Sequence, residues 1–203
     1  LRALDYKIEN LNSLMRDASL APEKRVEVAM AKFGRLSSSE VVTPQSVALE
    51  MITALGADAI TSQTKILDIA SKQGEFTRAF IALHGIEVGH NVYALPTSTV
   101  SYEFTRKVYS LLGLDTSHVF SDFTTYDLLN PDKKATLMEQ LKDMNFDLVI
   151  GNPPYQQADG GARASAKPIY HEFVAATNTI TDTLSSVLMP ARWFTGGKGL
   201  DEV

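Results

Sequence analysis

From residue 65 onward the chain alternates short apolar runs with longer segments of helical periodicity, and few folds accommodate that pattern. Residues 65–70, 91–95, 118–120, 146–150 and 186–190 read as five strands. Between them, residues 76–83, 101–112, 133–142 and 169–181 read as helices. This order predicts an α/β fold whose sheet is mainly parallel, with helices on both faces. Ligands of such sheets gather beyond the carboxyl ends of the strands, so the turns that follow each strand are where functional residues are expected.

Upstream, Leu4, Ile8, Leu11 and Met15 recur at helical spacing, and Pro22 opens a second helix. Residues 1–33 are therefore read as an N-terminal helical appendage and residues 34–203 as the α/β domain. At the start of that domain, Thr43 is placed to cap a helix with Pro44 at its first position. This helix carries Val47, Met51, Ile52 and Leu55 and ends at Gly56. The chain opens on Leu1 rather than Met and breaks off at Asp201-Glu202-Val203, after a Gly-rich turn. The domain is accordingly expected to be truncated at its C-terminal end.

Composition removes several classes of chemistry. The absence of cysteine excludes disulfides, thiolate metal sites and a cysteine nucleophile together. His84, His90, His118 and His171 are scattered without metal-ligand spacing, so no metal is expected. No apolar run approaches the roughly 20 residues that cross a bilayer, and the N-terminus lacks a signal-peptide pattern. A cytoplasmic protein without membrane contact is expected. Gly196-Gly197-Lys198-Gly199 lacks the Ser or Thr and the glycine spacing of a phosphate loop. The net charge is −5, from 24 acidic and 19 basic side chains. With no basic patch, the chain is not expected to grip nucleic acid unaided.

The sharpest local feature is Asn152-Pro153-Pro154-Tyr155, directly after the strand at 146–150 and Gly151. An exocyclic amine conjugated to an aromatic ring is a poor nucleophile, because its lone pair is delocalised. Two acceptors aimed at its hydrogens draw the nitrogen toward tetrahedral geometry and free the lone pair. The Asn152 side-chain carbonyl and the Pro153 backbone carbonyl are candidates for that pair. Prolines fix φ and hold such a loop rigid, and Tyr155 would stack on a base flipped out of the duplex.

Asn-Pro-Pro-Tyr after a strand resembles the catalytic motif of adenine-N6 DNA methyltransferases, and related forms occur in enzymes that methylate glutamine or RNA amines. Residues 67–76, with Asp68, Ala70, Gly74 and Phe76, resemble the family's cofactor-binding motif. Phe33-Gly34 with Val42-Thr43-Pro44 is similar to the segment that precedes that motif in restriction–modification methylases and helps hold the methionine end of the cofactor. Asp122 and Phe123 match the place where an Asp accepts from the cofactor's adenine amine and an apolar neighbour packs on its ring. Pro190-Ala191-Arg192-Trp193-Phe194 also resembles the segment after the group's fifth strand.

The resemblance is closest to the methylase modules of type I and type IIG restriction–modification systems. It implies a Rossmann-like fold, S-adenosylmethionine as cofactor and double-stranded DNA as substrate. It further implies a DNA-recognition domain or subunit outside this chain. Arg163 and Lys167, in the stretch after the catalytic loop, are candidates for contact with DNA. In two places the chain departs from the pattern. Lys72 stands where the turn usually has glycine, and Ala94-Leu95-Pro96-Thr97-Ser98 offers no carboxylate after the second strand for the ribose hydroxyls. These departures leave open a degenerate module that binds cofactor or DNA without catalysis. A protein glutamine or an RNA base is the other alternative substrate.

Overall fold

The computed structural model describes residues 9, 12–13, 18–32, 41–156 and 168–191. Phe33, Gly34, Arg163, Lys167 and the segment 192–203 lie outside the described residues. Among the described residues four strands form one sheet: β1 (Ile66–Ser71), β2 (Val92–Pro96), β3 (Leu148–Gly151) and β4 (Leu184–Val187). Their order is β2-β1-β3-β4, and every pairing is parallel. Ile66 sits opposite Val92 on one side and Leu148 on the other, so the ends of β1 and β3 emerge side by side.

Among the described residues six helices of nine residues or more surround it: α1 (Pro22–Lys32), α2 (Gln45–Thr53), α3 (Glu75–His84), α4 (Thr99–Leu111), α5 (Pro131–Asp143) and α6 (Tyr170–Ile180). The two-residue period of a strand divides β1 between two cores. Leu67 and Ile69 join Leu95 and Val149 against Leu137 and Leu141 of α5 and Phe173 and Ile180 of α6. On the other face Ile66, Val92, Leu148 and Ile150 meet Ala48 and Ile52 of α2 and Phe76 and Phe80 of α3. Each large side chain buried in this way contributes roughly 1.5–3 kcal/mol. Helix α1 packs against α4 and buries Val26. Among the described residues no helix is long and apolar enough to cross a membrane.

Three expectations are corrected. Residues 118–120 make one parallel bridge, Ala94 to Val119, rather than a strand. Asp115 accepts from the Ser117 amide at 2.8 Å and caps a 3₁₀ turn that takes up His118, leaving too little extended chain for a ladder. The last strand lies at Leu184–Val187, ahead of residues 186–190, because the chain there approaches Pro190, which has no amide to donate to a ladder. Thr43 does not cap α2. Pro44 occupies that position with no side-chain cap, and the Thr43 hydroxyl is turned elsewhere.

Candidate active site

The site begins with a close approach of two strands. A Cβ on Gly151 would stand 2.9 Å from Ile69 Cγ2 and 3.4 Å from the Ala70 amide nitrogen, so glycine alone lets β3 close on β1 at this level. The chain then leaves the sheet at Asn152, which is buried. Its Nδ2 donates to Thr43 Oγ1 at 3.2 Å, which orients the carboxamide and leaves Oδ1 as its acceptor. Pro153 is buried, whereas Pro154 and Tyr155 are half-buried. Burial raises the Tyr155 phenol above its ordinary range. The Ile169 amide donates to the Tyr155 carbonyl at 3.1 Å, and Gln156 bridges to Pro168, so both stems of the following segment are tied together.

Beside this loop runs the turn after β1. Gly74 holds φ at +66°, and a Cβ there would press on Val108 Cγ1 at 3.3 Å. Glu75 closes the turn, its Oε2 accepting from the amides of Gln73 at 2.7 Å and Lys72 at 3.2 Å. Asp68 is fully buried, and its Oδ1 accepts from the Ala70 amide at 3.1 Å. Asp68 Oδ2 and Glu75 Oε1 are buried without a hydrogen-bond partner. Burial first, and then the neighbouring Glu75, push the Asp68 carboxyl up to about 8.

Lys72 joins the two turns. It is 3% exposed, and its Nζ donates to the Asn152 carbonyl at 2.8 Å and more weakly to the Ala70 carbonyl at 3.5 Å. With Thr97, Tyr126, Asn152, Pro153 and Tyr155 it lines a cleft beyond the carboxyl ends of the strands.

The structure thus brings Thr43, Asp68, Ala70, Gly74 and Asn152 to Tyr155 into one neighbourhood, with Ala70 entering through its backbone. Other candidates stand apart. Phe76 is wholly buried in the core against α2 and the sheet, and Pro44 is exposed at the start of α2. Asp122 is exposed and accepts from Ser121 Oγ at 3.0 Å. With Phe123 it lines a second, separate depression that Tyr93, Tyr102 and Arg106 share.

Sequence reasoning missed Glu75 as the turn's closing ligand, the Thr43–Asn152 bond and the link made by Lys72. It also missed Thr97, whose hydroxyl pairs with that of Ser101 at 2.9 Å where a carboxylate was sought. An acidic residue directly after a helix-opening glycine was the available signal for Glu75. Nothing in a linear sequence signals the 109-residue contact between Thr43 and Asn152.

The parallel sheet of the described residues, with this loop at the end of β3, defines the class first, a Rossmann-like α/β domain. The profile of the Eco57I restriction-modification methylase family matches residues 59–203, and the chain belongs to that family. Over 59 residues it is 32% identical to an uncharacterized adenine-specific methylase of Mycoplasma pneumoniae, a stretch covering 28% of this chain and 14% of that protein. The crystal structure of the type I restriction-modification system methyltransferase subunit from Streptococcus thermophilus superposes with a TM-score of 0.65 at 19% identity. That match covers 90% of this chain and 42% of the subunit, and establishes the fold. The chain spans less than half the length of either relative.

Proposed function

We propose that this domain transfers a methyl group from S-adenosylmethionine to the N6 amine of an adenine flipped out of double-stranded DNA, as the methylase part of a restriction–modification system. The observation that carries the reading is the Asn152 carboxamide, buried at the end of β3 and oriented through Thr43 so that Oδ1 remains an acceptor. A neutral acceptor suits this place, since a carboxylate there would require a further buried charge.

Family membership implies a methyl donor. The turn after β1 fits S-adenosylmethionine chemically, because that molecule is cationic and carries an amino-acid end. The buried Glu75 Oε1, which lacks a partner, and the strand-end carbonyls of Ala70 and Asn152 suit such a group. When bound, the donor supplies an electrophilic methyl group.

The chain's own residues do the rest. Asn152 Oδ1 and the Pro153 carbonyl accept from the two hydrogens of the target amine, and Tyr155 stacks on its ring. By the resemblance, Asp122 and Phe123 would hold the donor's adenine in the separate depression that they line. No dedicated base is required, since the methylated nitrogen gives its proton to water.

A net charge of −5 favours a phosphate-binding surface in a recognition domain or subunit outside this chain. We assign residues 1–33 to a helical appendage and residues 34–203 to the catalytic domain, in a protein that works in the cytoplasm.

One second reading has an observation behind it. Lys72 on the Asn152 carbonyl also suits a module that has given up catalysis. The deciding assay offers the intact protein methyl-labelled S-adenosylmethionine with unmethylated duplex DNA, RNA or a protein extract. Label recovered as N6-methyl-2′-deoxyadenosine is the expected result. Label on RNA or on protein glutamine would move the substrate. Binding of S-adenosylhomocysteine without any transfer would leave the non-catalytic module.

A further inference from the structure

Lys72 is the one buried lysine among the described residues. Lysine is almost never buried without compensation, because its ammonium loses hydration. Here the compensation comes from backbone: Nζ donates to the Asn152 carbonyl at 2.8 Å and approaches the Ala70 carbonyl at 3.5 Å. Those two oxygens mark the carboxyl ends of β3 and β1. Asn152 also lines the cleft, so an incoming primary ammonium would meet the acceptor that Lys72 now holds. The side chain therefore both claims the acceptors and fills the gap between the two turns. The cavity left beside it has a volume of about 50 Å³, room for a few waters. A ligand pocket needs roughly 300 Å³ or more.

We propose that Lys72 is a built-in occupant of the donor site, its ammonium standing on the Asn152 and Ala70 carbonyls until an amine-bearing ligand displaces it. This rests on the reading that the cleft beyond β1 and β3 is where the methyl donor binds. An occupant of this kind lowers apparent affinity by the fraction of molecules in which it has swung clear. It also couples the two turns, since Lys72 holds the backbone of the same residue whose side chain is assigned to the target amine. Binding of donor would then release the catalytic loop from its tether, and the loop would be free to adjust around the base only in the loaded protein.

The test titrates S-adenosylhomocysteine calorimetrically into the intact protein and its Lys72→Ala and Lys72→Met variants. Clearing the side chain should tighten binding by roughly tenfold or more, whereas methionine, which keeps the bulk, should recover little of that gain. A second measurement needs no variant and so survives a failure of Lys72→Ala to fold. Lysine acetylation read by mass spectrometry should find Lys72 protected in the free protein and modified once S-adenosylhomocysteine saturates it. Equal or weaker binding by Lys72→Ala would overturn the proposal, as would a Lys72 that stays protected under saturating ligand. Either result would make the lysine a fixed strut or a ligand contact and leave the donor site standing. Absence of binding in all three folded proteins is a different result, and it removes the donor-site reading together with the proposal.

Discussion

The two turns that meet at the edge of this sheet solve opposite problems. After β3 three polar groups are partnered, Asn152 Nδ2 by Thr43, the Asn152 carbonyl by Lys72 and the Tyr155 carbonyl by Ile169, while Asn152 Oδ1 keeps its acceptor capacity. Two prolines remove backbone freedom between them. After β1 the opposite holds. Two carboxyl groups lie buried, each with one oxygen lacking a partner, in a turn that relies on a left-handed glycine and a buried ammonium. Each such unsatisfied oxygen costs on the order of 1–3 kcal/mol or more. The β3 loop is therefore preorganised, and the β1 turn is poised, with binding capacity in reserve. Preorganisation serves chemistry, in which misplacement is costly in rate. Unspent binding capacity serves a ligand that must come and go.

If that division is sound, damage to one turn should leave the other's readout alone. The largest effect is expected from Asn152→Ala, which removes the carboxamide but keeps the carbonyl that holds Lys72. Single-turnover methylation should fall by roughly 100-fold or more, the scale seen when a preorganised polar group is lost from a reacting centre. S-adenosylhomocysteine affinity, measured on the same preparation, should stay within about threefold of the parent's, well under 1 kcal/mol. A parallel fall in both quantities would show that the turns act as one unit.

The unequal legibility of the two turns in the sequence has the same origin. The β3 loop is readable because the role proposed for it rests on residue types in a contiguous run, Asn152 to Tyr155, at the end of an apolar strand. The parallel sheet was readable too, since alternating strands and helices leave little other choice. What lay hidden depends on distance in the chain. Thr43 looks locally like a helix cap, and local pattern could not show that its hydroxyl lies against a residue brought in by a different strand. Lys72 was visible as a departure from a familiar pattern, but the carbonyls it reaches are set by the register of β1 against β3. Phe76 shows the converse. It belongs to the motif that marks the turn, yet the first turn of α3 aims it into the core. The missing third strand is a matter of length, because three residues after a capped turn make one bridge and no ladder.

The next effect in size tests whether the β1 turn is strained. The Asp68 carboxyl is pushed up to about 8 in the folded protein from 3.8, so the folded state holds this proton more tightly than the unfolded chain does. Its contribution is fully present below the unfolded value and is lost as pH rises through the folded one. Between those limits the protein should weaken steadily with rising pH on account of this group. Asp68→Asn keeps the oxygen that accepts from Ala70 and abolishes the ionisation. Urea denaturation at about pH 9 should find the variant more stable than the parent by roughly 1–3 kcal/mol, with the difference closing toward about pH 4. Equal stability of the two proteins across that range would mean that the turn carries no charge strain, and the contrast between the loops would fail on its β1 side.

The smallest expected effect bears on the β3 side, and it is the most discriminating. Thr43→Val keeps the shape of the side chain and deletes the hydroxyl that Asn152 Nδ2 meets at 3.2 Å. One hydrogen bond that orients a group without touching the reaction is worth about 1 kcal/mol. The rate of transfer should therefore drop roughly fivefold to tenfold, and Thr43→Ser should restore most of it. Resemblance to restriction–modification methylases assigns this residue to the methionine end of the donor, whereas its bond in the structure assigns it to Asn152. The two roles separate by readout. A weaker S-adenosylhomocysteine titration with an unchanged single-turnover rate would return Thr43 to the donor. A slower transfer at unchanged affinity would place it behind Asn152, as the residue that decides which end of the carboxamide faces the target amine.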